Sequence, residues 1–359
     1  MIGYLCATPY HIMAAVTMAS DMFAEEDSTL IVLDHFNFDE TLFEKIRKTG
    51  IFTDVLLFKS NNKSLMNKAK RFYNAFVPHP LMRSLAKRKD FTHFFCFALD
   101  FINISYLIQS FRKNGANCQF CFAEDGIGSY INESLYHPNK LASLLIQLNG
   151  RANALEAIQS LYIYKPEYAV VNKEFELVKI KQSPKTYETL RCFVSEIWPF
   201  EEEVDFKDSI VYFEQPKENP EENKDVTTEQ NAIRKAEELL GAHAFVKLHP
   251  RSYENESWAN FDTLKTRIPF EAIFLQTDFQ PKLFLTDNST AVFSPYMLDG
   301  DAELHCKTIF LNRLVHGDGA NAYTDTIDAV SAHINQKWQA TLMESPASQE
   351  VLEAILKNM

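Results

Sequence analysis

Short apolar runs separated by amphipathic segments recur along the chain, and this rhythm restricts the fold more than any other feature. Residues 3–7 read as a strand. Thr8-Pro9 then opens a helix, with Thr8 as a cap and proline where a missing N–H costs nothing. Strand-like runs follow at residues 29–33, 54–58, 93–98, 119–123 and 168–172. Strands alternating with helical stretches predict βαβ units and a parallel, doubly wound sheet. The pattern breaks near residues 195–208 at Trp198-Pro199-Phe200 and Glu201-Glu202-Glu203, which reads as an interdomain linker. A second α/β series follows, with strands at 209–213, 244–248, 271–276, 283–287 and 307–311 and a helix at 229–240 after a polar, Pro-containing loop. The expected architecture is α/β: two doubly wound Rossmann-like domains with a cleft between them. The first covers 1–200 and the second 206–335. A helical segment over 336–359 is expected to pack back across the first domain.

The 359 residues are 46% hydrophobic and 13% aromatic, enough for a sizeable core and unlike a disordered chain. A net charge of −12 argues against a nucleic-acid binder. The start, Met1-Ile2-Gly3-Tyr4, lacks a basic stretch ahead of an apolar one, so no signal peptide is expected. No run is apolar enough for a membrane span, and a cytoplasmic protein is the expectation. Six scattered cysteines fit a reduced compartment; Cys118 and Cys121 form a C-x-x-C with no second ligand pair, a weak zinc or redox signal. From Lys63 to Lys89 a basic stretch carries Lys68, Lys70, Arg71, Arg83, Lys87 and Arg88 among Phe72, Tyr73, Phe76, Leu81 and Met82. It reads either as a solvated helical face or as a surface for anionic lipid or an anionic acceptor at the inner membrane leaflet.

Three polar strings end strand-like runs, where ligands bind in open α/β sheets. The first is Glu124-Asp125-Gly126. A carboxylate there can act as a general base, and Gly126 lets the chain turn and a ligand approach. Adjacent residues point to opposite sides, so only one of the two carboxylates faces a given pocket; Asp125 also suits a turn or cap. The second is His249-Pro250-Arg251. His249 can bind or protonate a phosphate oxygen, Arg251 can hold an anion and Lys247 is a weaker candidate. His79-Pro80 and His137-Pro138 end no apolar strand and receive no role. The third is Asn288-Ser289-Thr290, a strand–turn–helix whose hydroxyls and free N–H groups suit a phosphate or an ordinary N-cap. A dinucleotide fingerprint is absent, since Gly126-Ile127-Gly128 lacks the third glycine, and there is no P-loop.

Acidic-acidic-Gly, His-Pro and Ser-Thr in this order resemble the bacterial sialyltransferases of the GT-B type. The resemblance is strongest to the lipooligosaccharide sialyltransferases of glycosyltransferase family 52, with the capsular polysialyltransferases as similar relatives. The opening Cys6-Ala7-Thr8-Pro9-Tyr10-His11 and the step Phe213-Glu214-Gln215-Pro216 also resemble that family, although the second lacks its glycine. The resemblance implies a GT-B-like fold and inverting transfer of sialic acid from CMP-sialic acid to a sugar hydroxyl. It implies a terminal galactose or a sialylated glycan as acceptor. It implies His249 as the acid at the leaving phosphate, Ser289 and Thr290 as phosphate binders, and Glu124 or Asp125 as base with Glu214 in reserve. The donor side then comprises His249, Pro250, Arg251, Ser289, Thr290 and Glu214. His11 is a candidate contact from the first helix. No metal or cofactor is expected; Asp299-Gly300-Asp301 reads as a turn. Dimeric relatives make a homodimer the expectation. The competing readings are a capsular polysialyltransferase, another GT-B nucleotide-sugar transferase, and a degenerate fold that only binds.

Overall fold

The computed structural model describes residues 1–33, 40–58, 76–97, 101–131, 140–151, 154, 157–169, 175–215, 226–249, 256–264, 266–298, 306–317, 322–338 and 342–359. The chain divides into two compact units: Met1–Glu167 with Val171–Ile197, and Tyr168–Val170 with Trp198–Met359.

Unit 1 carries strands β1 (Ile2–Cys6), β2 (Ser28–Leu33), β3 (Asp54–Phe58), β4 (His93–Cys96), β5 (Gln119–Ala123), β6 (Ile158–Ile163) and β7 (Glu176–Lys179) in the order β3-β2-β1-β4-β5-β6-β7. Every pairing is parallel. Helix α1 (Pro9–Ser20) follows β1 as its sequence dictates. Thr8 is extended, its hydroxyl accepts from His11 N at 3.2 Å, and proline begins the first turn. Nearly every side of α1 is buried, so it lacks the polar stripe of a surface helix. Gly3 is required by packing: a Cβ there would lie 2.6 Å from the Phe94 ring on neighbouring β4.

Unit 2 carries β8 (Ile210–Phe213), β9 (Ala244–Lys247), β10 (Asp262–Leu264), β11 (Leu283–Thr286), β12 (Lys307–Phe310) and β13 (Met343–Glu344), ordered β10-β9-β8-β11-β12-β13 and again parallel. Helix α2 (Thr227–Leu240) ends at Gly241, whose φ of 59° suits a residue without a Cβ. Its buried face joins Tyr212, Val246, Trp258, Leu283 and Leu285 in one core. Both strand orders reverse direction at a switch point, between β1 and β4 and between β8 and β11. The site expected of such a sheet lies outside the carboxyl ends of these strands.

Several elements differ from expectation. Residues 271–276 form part of a helix, α3 (Phe270–Gln276), with Phe270, Ala272, Ile273, Phe274 and Leu275 buried. A short apolar run buried all round has no period to tell helix from strand. Tyr168 lies in a 3-10 turn (Pro166–Tyr168), and the rest of the strand expected at 168–172 is residue 169, in no regular element, and residues outside those described. The tail is not one helix. Helix α4 (Ala322–Trp338) precedes β13, and α5 (Gln349–Lys357) packs its Leu352 and Leu356 into the core of unit 2. Among the described residues no helix is long and apolar enough to cross a membrane. Of the basic stretch, 63–75 lie outside the described residues; Arg88 is taken by Asp90 at 2.9 Å and lies over the Phe91 ring. Cys118 and Cys121 are free thiols, each pushed up to about 12 by burial.

Candidate functional site

In unit 1 the end of β5 separates the two acidic residues. Glu124 points inward and is fully buried, with 0% exposure. Its Oε2 accepts from the Tyr130 hydroxyl at 2.7 Å and the Tyr164 N–H at 3.1 Å, and its Oε1 from the Tyr10 hydroxyl at 3.2 Å. Burial pushes this carboxyl up to about 7 against those three donors. Asp125 faces outward, with a side chain 42% exposed. Gly126, at φ 70°, turns the chain immediately after it, and the Asp125 N–H donates to Ser129 Oγ at 2.7 Å. The next short helix, Gly128–Ile131, contributes both Ser129 and Tyr130.

His11 meets Asp125 from the first turn of α1. The ring is buried and stacks on Phe97. Its Nδ1 accepts the Ala7 N–H at 3.1 Å, which assigns the proton to Nε2. That nitrogen lies 2.5 Å from Asp125 Oδ1 and donates to it. The ends of β1 and β5 are thus joined by a dyad in which histidine fixes one carboxylate oxygen and leaves the other available. Both residues were candidates from sequence. Their contact crosses 114 positions and had no signal there.

In unit 2 the ends of β8, β9 and β11 carry polar groups. Glu214 follows β8, is 5% exposed, and its Oε2 accepts the His249 N–H at 2.9 Å. The structure thus brings Glu214 and His249 together. Pro250, Arg251, Pro216 and Asp299-Gly300-Asp301 lie outside the described residues. At the end of β11 the Thr286 hydroxyl donates to Phe213 O at 3.0 Å and accepts from Ser289 N at 2.9 Å. The Ser289 hydroxyl caps a 3-10 turn, Thr290–Phe293, that runs into a short helix, Ser294–Leu298. The strand–turn–helix read from sequence is present, with Ser289 as its cap and a 3-10 turn as its first part.

Sequence reading assigned no role to Asp287 and His316. Asp287 is 4% exposed and its Oδ2 meets His316 Nε2 at 3.0 Å, linking the end of β11 to the segment after β12. Asp287 Oδ1 and Asn288 Oδ1 are buried with no hydrogen-bond partner among the described residues. An unsatisfied buried acceptor costs about 1–3 kcal/mol. The Asp-Asn pair at the strand end was visible in sequence, but its distant histidine was not.

Two parallel α/β units with this strand order have the fold of GT-B glycosyltransferases. An α/β-galactoside α-2,3-sialyltransferase from the luminous marine bacterium Photobacterium phosphoreum is similar over 96% of this chain and 97% of its own, with TM-score 0.53 at 13% identity. The glycotransferase of kitacinnamycin is similar over 99% of this chain and 89% of its own, with TM-score 0.56 at 9% identity. The UDP-GlcNAc 2-epimerase of Methanocaldococcus jannaschii is similar over 100% of this chain and 93% of its own, with TM-score 0.51 at 13% identity. Identities this low establish the fold alone, and an epimerase among the neighbours makes the point. No curated protein matches the chain significantly by sequence. Residues 4–308 match the model of the α-2,8-polysialyltransferase family (POLYST). The chain belongs to that family, and its class is therefore that of a sialyltransferase. Of the two kinds of relative that the sequence motifs resemble, the match falls on the polysialyltransferases.

Proposed function

We propose that the protein is an inverting sialyltransferase that moves sialic acid from CMP-sialic acid to a hydroxyl of a sialylated surface glycan. The observation that carries this reading is the His11–Asp125 pair: an outward carboxylate at a strand end, oriented by a buried histidine and next to a glycine turn. Asp125 takes the acceptor hydroxyl proton while that oxygen forms its bond to the anomeric carbon. The bond from that carbon to the phosphate oxygen breaks, and its electron pair leaves with CMP. His249 delivers a proton to the leaving phosphate, and Ser289 and Thr290 bind it through hydroxyl and N–H groups. Arg251 and Pro250 belong to the same donor side.

Glu124 is assigned a structural place, because a carboxyl with no exposure and three donors cannot meet an acceptor. The family's α-2,8 description favours a sialylated acceptor over terminal galactose, lipooligosaccharide galactose included. Action at the inner membrane leaflet is supported by the basic stretch and by exposed Phe76 and Val77 at its described edge. A homodimer belongs to the same proposal, and light scattering on the eluting protein reads it.

The test is product analysis with CMP-sialic acid and two acceptors, an α-2,8-sialylated oligosaccharide and lactose. Elongation of the sialylated acceptor supports the reading. Transfer only to lactose moves the acceptor to galactose. CMP-sialic acid turnover with neither acceptor, or none at all, overturns it.

A further inference from the structure

The strand end that carries His249 is held by two buried side chains of opposite charge. Strand β9 closes at Lys247, and the next peptide group joins Leu248 to His249. The carbonyl of that group accepts from Lys247 Nζ at 2.9 Å. Its N–H, on His249, donates to Glu214 Oε2 at 2.9 Å. Both polar ends of a single peptide unit are therefore bound by ionisable groups. Lys247 is 4% exposed and Glu214 5%. The lysine reaches a second carbonyl, Thr266 O, at 3.4 Å. Glu214 is itself fixed, since its N–H donates to Lys247 O at 3.1 Å where β8 and β9 pair.

Removing these charges from water is unfavourable. Burial drives the Lys247 amine down to about 8, opposed by the nearby carboxylates of Glu271 and Glu214. Leu248 is fully buried, so its carbonyl needs a protein partner, but a neutral donor would satisfy it without the desolvation of a buried ammonium. What the arrangement does fix is the plane of the peptide immediately before the His249 side chain.

We infer that Glu214 and Lys247 are positioning residues that clamp the Leu248–His249 peptide group and so aim the His249 imidazole at the leaving group. The inference rests on the role of His249 proposed above. It also gives Glu214 a task distinct from proton removal. Accepting a backbone N–H needs only an oxygen, which a glutamine supplies; accepting a substrate proton needs a carboxylate.

The experiment is steady-state transfer from CMP-sialic acid to an α-2,8-sialylated oligosaccharide, with CMP affinity by calorimetry as a separate readout. The variants are Glu214→Ala, Glu214→Gln, Lys247→Met, His249→Asn and the Glu214→Ala/His249→Asn double. Misplacing a catalytic group by an ångström costs on the order of 10²-fold in rate, so Glu214→Ala and Lys247→Met are expected to lose about that in kcat, with donor KM changed little. Glu214→Gln is expected to restore most of the loss. The double variant is expected to be no slower than His249→Asn alone, because residues acting as a unit are not additive. Glu214→Gln as slow as Glu214→Ala would make Glu214 a proton acceptor and overturn the clamp. So would a double variant that adds the full alanine loss to the His249→Asn loss, or wild-type rates in both Glu214→Ala and Lys247→Met. Should Glu214→Ala fail to fold, Glu214→Gln and Lys247→Met decide the matter. A His249→Asn enzyme at wild-type rate would instead overturn the assignment of His249, whatever the Glu214 variants do.

Discussion

Replacing Glu124 by glutamine should change how stability depends on pH while leaving the contacts almost intact. With its carbonyl oxygen in the place of Oε2, glutamine keeps the Tyr130 and Tyr164 donors, and its amide group donates to the Tyr10 hydroxyl, which can turn to accept. The wild-type carboxyl is pushed up to about 7 by burial, against an ordinary value of 4.5. The folded state thus holds this proton more tightly than the unfolded state does. Its contribution to stability is fully present below pH 4.5, falls as pH rises and is lost above about 7. The gap between the two values corresponds to about 3 kcal/mol. The variant lacks this dependence, and comparing it with wild type cancels every other titration. The unfolding free energy of Glu124→Gln relative to wild type should therefore rise by about 3 kcal/mol across that interval. Urea unfolding followed by far-ultraviolet circular dichroism at several pH values measures it. Tryptophan emission would not serve, because Trp198, Trp258 and Trp338 all belong to unit 2. A difference that stays flat to within about 1 kcal/mol would mean that the Glu124 carboxyl is not held protonated, and the burial argument would fail.

Three further outcomes follow from the geometry. His249→Asn should slow CMP release from CMP-sialic acid by about 10²–10⁴-fold, while calorimetry finds CMP binding within a few-fold of wild type. Ser289→Ala should weaken CMP binding by about tenfold, the loss of one charge-assisted hydrogen bond, and leave cytidine binding unchanged. Equal losses for CMP and cytidine would remove Ser289 from the phosphate. Gly3→Ala should destabilise unit 1 by about 1–3 kcal/mol in urea unfolding, because the added methyl meets the rings of Phe94 and Phe91.

The central strands were legible because each is a β-rich apolar run buried on both faces, as in β1, β2 and β5. The edges were not. Strands β7, β10 and β13 are short and polar, as edge strands commonly are, and Glu176–Lys179 reads as a surface loop. In β6, Gln159 and Ser160 interrupt the apolar pattern. Helix α3 was read as a strand because six residues of Glu271–Gln276 carry no resolvable period. At the site, the strings at the ends of β5, β9 and β11 were visible because punctuated polar residues after an apolar run are a local signal. That only one of Glu124 and Asp125 faces outward followed from strand alternation; which one depended on where Tyr10, Tyr130 and Tyr164 stand in the fold. The His11–Asp125 and His316–Asp287 pairs join distant residues, and a single sequence carries no record of such contacts.

The most direct test of the account is Asp125→Asn, assayed for transfer of sialic acid from CMP-sialic acid to an α-2,8-sialylated oligosaccharide. Asparagine preserves size and can still receive the His11 hydrogen bond through its oxygen, so the fold and CMP affinity should hold. The account predicts that kcat falls by about 10²–10⁴-fold, the contribution of a positioned base. Transfer at the wild-type rate would remove Asp125 from the chemistry and with it the reading of the His11–Asp125 pair as the catalytic base.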